Sequence, residues 1–123
     1  MTTKIADGTP VLMIGQTDEK AAPVRENTDH LSECLVGNFV CFATTWARVA
    51  PAAEVTVPVL TGKESGVEVR KHSEAPMSYQ RRMWIVRVGG VYVGHYNTKR
   101  DGLAAAAVAV AVLGWHAAQV VAA

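Results

Sequence analysis

The chain has 123 residues, half of them hydrophobic and 19% charged, with a formal net charge of +1. That length holds one domain with a real core and excludes two of ordinary size, and the composition excludes wholesale disorder. A near-neutral total also excludes a uniformly basic nucleic-acid binder or an acidic mimic. The charge is nevertheless divided: residues 1–62 carry four Lys/Arg against seven Asp/Glu, a net of −3, and residues 63–123 carry eight against four, a net of +4. An anionic partner is therefore expected on the second half.

The opening Met1-Thr2-Thr3-Lys4-Ile5-Ala6-Asp7-Gly8 has no apolar run of signal-peptide length, so a cytoplasmic chain is expected, with 1–9 a tail or lead-in. Residues 10–14 read as a short strand and 15–29 as a polar loop. The stretch 31–46 fits two patterns. As strands it gives 31–36, a Gly37-Asn38 turn and 39–46; as a helix, Leu31, Leu35, Phe39, Phe42 and Trp46 fall at near i, i+4 spacing. Gly37 costs a helix about 1 kcal/mol and suits a turn, which favours strands. That hairpin sets Cys34 opposite Cys41, either as a crosslink or as two buried thiols. Beyond a Pro-interrupted connection, 54–60 alternates as a strand, with Pro58 marking an edge or bulge, and 67–72 resumes the pattern before a loop at 73–78.

Residues 81–96 form the clearest unit. Gly89-Gly90 permits the positive φ of a two-residue hairpin turn, which pairs Val88 with Val91, Val86 with Val93 and Trp84 with His95 on one apolar face. The opposite face pairs Arg87 with Tyr92, Ile85 with Gly94 and Met83 with Tyr96, and adds Arg81. Arg and Tyr on an exposed sheet suit phosphates, base edges and unstacked bases, although an ordinary amphipathic sheet has the same look. Asn97 or Thr98 then caps a helix over about 99–121.

That helix is apolar on more than one side. Leu103, Val110, Leu113, Val120 and Val121 make one ridge, Val108, Val112 and Trp115 a second, alanines fill the gaps, and Gly114 marks a kink or break. A helix on one sheet needs a single ridge. The second predicts either another packing layer or a self-association surface, and self-association is the expectation carried forward. A membrane span is disfavoured because alanine is a weak membrane driver and Gly114, His116 and Gln119 interrupt the distal half.

The string Trp84-x-x-Arg87-x-x-x-x-Tyr92-Val93-Gly94-x-Tyr96-x-Thr98, followed by the Ala-rich helix, resembles over residues 84–109 part of the ethylene-response-factor type of DNA-binding domain. The resemblance implies a three-stranded sheet facing the DNA major groove with the helix packed behind, and DNA contacts from Arg87 and Tyr92. Gly102 and Leu103 stand where that family prefers alanines. Thr98-Lys99-Arg100 before an Ala-rich helix is also similar to the end of double-stranded-RNA-binding domains, which implies phosphate contacts from Lys99 and Arg100.

No catalytic motif stands out. Gly62-Lys63 lacks the P-loop glycine, no nucleophile elbow or paired carboxylate occurs, and His30, His72, His95 and His116 lack metal-ligand spacing. The sequence thus predicts one α+β domain over 1–123, an antiparallel sheet of about five or six strands packed by the C-terminal helix. The expected function is non-enzymatic, without cofactor or metal: DNA or RNA binding through Arg81, Arg87, Tyr92, Tyr96, Lys99 and Arg100. The alternative is a shell- or coat-like or protein-interaction subunit, such as an inhibitor, assembled through Val108, Val112 and Trp115.

Overall fold

A computed structural model of the chain describes residues 10–14, 22–23, 39–42 and 45–122. Among them are seven strands: β1 (Pro10–Met13), β2 (Ala22–Pro23), β3 (Phe39–Phe42), β4 (Thr45–Pro51), β5 (Val67–Lys71), β6 (Trp84–Val88) and β7 (Val91–Tyr96), followed by one long helix, α1 (Lys99–Ala122). The class is α+β with antiparallel pairing throughout. The strands do not join into one sheet. They form two, in the orders β2-β1-β4-β3 and β5-β6-β7.

The two-sided helix follows from that division. Val108, Val112 and Trp115 pack with Val11, Leu12, Val49 and Ala50 of the first sheet. Ala105, Ala106 and Ala109 pack with Val86, Val88, Val93 and Tyr96 of the second, with Val110 and Leu113 partly buried beside them. At 100° per residue these two stripes lie roughly a third of a turn apart. The side facing the second sheet is built on small residues rather than on the Leu/Val ridge alone. A Cβ on Gly102 would stand 3.1 Å from Val69 Cγ1 and 3.2 Å from Val86 Cγ2. The alanines follow from that approach: the helix backbone lies too close to the strands there for larger side chains.

Several local expectations change. The stretch 39–46, expected as a single strand, contributes instead to β3 and β4, which pair with each other, Phe42 opposite Thr45. Residues 22–23, inside the expected 15–29 loop, pair with β1. The strand expected over 54–60 joins neither sheet: Ala52–Glu54 is a 3-10 turn, and Val59 beyond it is 97% exposed. Proline at 58 cannot donate to a ladder, consistent with that outcome. α1 runs on through Gly114, whose missing Cβ would meet nothing, so the glycine is tolerated on an exposed face and does not break the helix. Thr98 Oγ1 accepts the Asp101 N–H at 3.1 Å, which makes it the N-cap. The 1–9 lead-in, the Gly37-Asn38 turn, Cys34 and His30 lie outside the described residues.

From Lys99 to Ala118 the helix is long and apolar enough to cross a membrane by length and composition, yet half of that stretch is buried inside the fold. His116 Nε2 donates to Val49 O at 2.8 Å, fastening the helix to β4.

Candidate functional site

The second sheet has one closed face and one outer face. Gly89 and Gly90 take φ of 56° and 78°, and the turn they make sets Val88 opposite Val91 and Arg87 opposite Tyr92 as expected. The register then shifts. Val86 pairs with Gly94, Ile85 with His95 and Trp84 with Tyr96. Val93 is the extra residue of a β-bulge, and both Val93 and Gly94 stand against Val86. Every residue beyond the bulge is displaced by one, which in a period-two strand exchanges the faces.

Tyr96 is therefore not an outward contact. It is 5% exposed, sits in the core beside Ala105, Ala106 and Ala109, and its ring fills the space a Cβ on Gly94 would need. Its hydroxyl is held above the ordinary tyrosine range by burial and secondarily by Tyr92. His95 moves the other way, from the expected core face to the outer one opposite Ile85, which is itself 3% exposed.

On that outer face the shift brings three side chains into line. His72 follows β5 and continues its ladder, its N–H donating to Met83 O at 2.9 Å. Its Nδ1 lies 2.8 Å from His95 Nε2, across the middle strand. His95 Nδ1 in turn hydrogen-bonds the Tyr92 hydroxyl. The His95 imidazole is held below the ordinary histidine range, first by burial, then by His72 and Arg87, so it is neutral at pH 7. A neutral imidazole carries one N–H and one lone pair, so each contact in the chain has one donor and one acceptor. Chemically the row can orient the half-exposed Tyr92, pass a proton along its length, or present nitrogen lone pairs.

The six cations and aromatics expected to act together are dispersed. Arg87 and Tyr92 are direct cross-strand neighbours on the outer face. Arg70 shares that face through its pairing with Ile85 and forms an ion pair with Glu68; it was missed because 67–72 was read only as a strand. Arg81 lies in the 3-10 turn Gln80–Arg82, where Nε donates to Ala75 O at 2.8 Å and an Nη to Pro76 O at 3.1 Å. It clamps the loop before β6.

Lys99 and Arg100 belong to the helix side. They rim a groove of about 540 Å³ between residues 57–61 and the first turns of α1. The floor of the groove includes Leu103, Ala104 and Ala107. Its turn is held by the Glu64 carboxylate, which accepts the Thr61 and Gly62 N–H groups; chiefly through Thr61, this lowers the carboxyl pKa to about 2.

The ridge expected to carry self-association is covered within the chain itself. Val108, Val112 and Trp115 are 1%, 0% and 7% exposed within the single chain. The first sheet occupies the place expected for a second copy, because the apolar strands of the N-terminal half need cover as much as the helix does.

Compared with known proteins, the chain matches no family model, no curated protein and no solved structure.

Proposed function

We propose that the chain is a small non-enzymatic nucleic-acid-binding protein that docks the outer face of β5-β6-β7 on a duplex. The observation that carries this reading is the juxtaposition of Arg87 and Tyr92 on the face of β5-β6-β7 turned away from α1. Arg70 extends the row on β5, and these residues belong to the half of the chain with net charge +4. A guanidinium can bridge phosphates or read a guanine edge, and a tyrosine beside it adds a hydroxyl and a stacking surface. Strands are known to serve as readers in either groove of a duplex. A three-stranded antiparallel sheet in chain order, closed behind by the following helix, is also the arrangement that the ethylene-response-factor resemblance implies.

The contact set is narrower than the sequence suggested. Arg87, Tyr92 and Arg70 make the contacts, Arg81 and Tyr96 support the fold, and Lys99 and Arg100 lie on the helix side. The test is fluorescence anisotropy with labelled double-stranded DNA and RNA across a salt series. Wild type binds at low salt, and Arg87→Ala weakens binding and flattens the log–log salt slope by about one if its contact is a phosphate. Binding to neither duplex at low salt, or an Arg87→Ala protein that binds as wild type, refutes the proposal.

A further inference from the structure

We propose that His72 and His95 form a two-histidine site for a divalent transition-metal ion, with Cu²⁺ or Ni²⁺ as the fitting ion. The two facing atoms, His72 Nδ1 and His95 Nε2, are 2.8 Å apart, with ring centroids at 4.9 Å and ring planes at 36°. They come from either side of β6 and are spaced by the ladder itself, since His72 is bonded to Met83 and His95 is registered on Ile85. Two metal–nitrogen bonds of about 2.0–2.1 Å set the nitrogens about 2.9 Å apart at a right angle and about 3.3 Å apart at a tetrahedral one. The hydrogen-bonded spacing lies nearer the right-angle value, so adjacent positions on a tetragonal or octahedral ion require a smaller movement of the rings than a tetrahedral site does. The general affinity order of nitrogen sites for divalent ions ranks copper first as well.

Binding requires a lone pair on each facing nitrogen. The single proton now between the rings moves to an outer ring nitrogen, so none is released. On His95 that outer atom is Nδ1, which then donates to the Tyr92 oxygen already bonded to it. A partner of this kind fixes the tautomer and the ring orientation of a metal-binding histidine. Among the described residues no third His, Cys, Asp or Glu side chain joins the pair to make a larger ligand group, so an ion held here would complete its coordination with water. The site was hidden in the sequence because residues 72 and 95 have no ligand spacing, and the bulge at Val93 is what turns His95 outward.

The test is independent of nucleic-acid binding. Tag-free, chelator-treated protein is titrated calorimetrically with NiCl₂, and then with CuCl₂ and ZnCl₂. One Ni²⁺ site per chain is expected. Its affinity falls at least tenfold in His72→Ala and in His95→Ala, falls about tenfold in Tyr92→Phe through the lost orienting bond, and is kept in His116→Ala. With one equivalent of Cu²⁺, the electron paramagnetic resonance spectrum of wild type shows two equatorial imidazole nitrogens, which also decides the matter if His95→Ala does not fold. Absence of Ni²⁺ binding, wild-type affinity in both histidine variants, or a single-imidazole spectrum overturns the proposal. Tighter binding of Zn²⁺ than of Ni²⁺ overturns the assigned geometry.

Discussion

Replacing Val112 by alanine tests whether α1 is covered by its own chain. Val112 is fully buried, in a cluster with Val11, Leu12, Val49 and Ala50. The change deletes two buried methyl groups, worth about 0.8 kcal/mol each in transfer from water. The void they leave adds about 24 cal/mol per Å³, or roughly 1 kcal/mol for a void of ~50 Å³ that does not collapse. The expected loss is therefore about 2–3 kcal/mol. At about 2.1 cal/mol/K of unfolding entropy per residue, each kcal/mol moves Tm by about 4 °C in a chain of 123 residues, so the midpoint falls by roughly 8–12 °C.

The assay is urea and thermal unfolding followed by circular dichroism and tryptophan fluorescence, at two protein concentrations a hundredfold apart. An intrachain layer predicts the full loss at both, with midpoints that do not depend on concentration. A ridge covered by a second copy predicts midpoints that climb with concentration by mass action. That climb, or a loss under about 0.5 kcal/mol, would refute the intrachain burial.

Three further outcomes follow from the same packing. Gly102→Leu forces a side chain against Val69 and Val86, which are already at 3.1 and 3.2 Å from where a Cβ would sit; overpacking of this kind costs about 1–3 kcal/mol, and a neutral denaturation curve would show that the helix does not lie that close. His116 is held below the ordinary histidine range chiefly by burial, with Arg48 acting in the same direction and the Val49 carbonyl bond opposing. The unfolded chain therefore takes up the proton first, and stability present above the ordinary range near ~6.5 is lost as pH falls through it. Wild type should lose more stability between pH 7 and pH 5 than His116→Gln, and equal slopes would sink the assignment. Arg81→Ala releases two loop carbonyls and should cost about 1–2 kcal/mol in unfolding measurements, while duplex affinity stays within twofold of wild type; a selective loss of affinity would return Arg81 to the interface.

Much of the fold is legible in the residues. The Gly89-Gly90 turn, the Arg87–Tyr92 pair, the Thr98 cap and the two apolar sides of the last helix are local consequences of φ preference, pairing geometry and helical period. What covers the second side of α1 is not local. It depends on whether the strands between residues 10 and 51 fold back on the helix, and no periodicity within 103–122 distinguishes Val49 of the same chain from a valine of another. The alanine stripe was misjudged for a related reason. Alanine reads as filler when side-chain size is taken as the measure of contact, yet the close approach of helix and sheet at Gly102 gives small residues a packing role there.

The candidate site turned on one residue. The hairpin pairing predicted from the turn is correct for two residue pairs and then fails at Val93, because a bulge adds a single residue and leaves the alternation of apolar and polar positions plausible in either register. Gly94 was the available signal, since a glycine inside a strand marks a bulge or a close approach, and here it does both. With the regular register Tyr96 would face water opposite Met83, on the same face as Arg87, and His95 would lie in the core. With the bulge, the large aromatic closes over Gly94 against the alanines of α1, and the imidazole faces His72. The same displacement thus removes one aromatic from the outer face and supplies an imidazole to it. A fold that kept Tyr96 outward would hold no histidine pair, so the metal proposal and the narrowed contact set of the nucleic-acid proposal share a single structural cause.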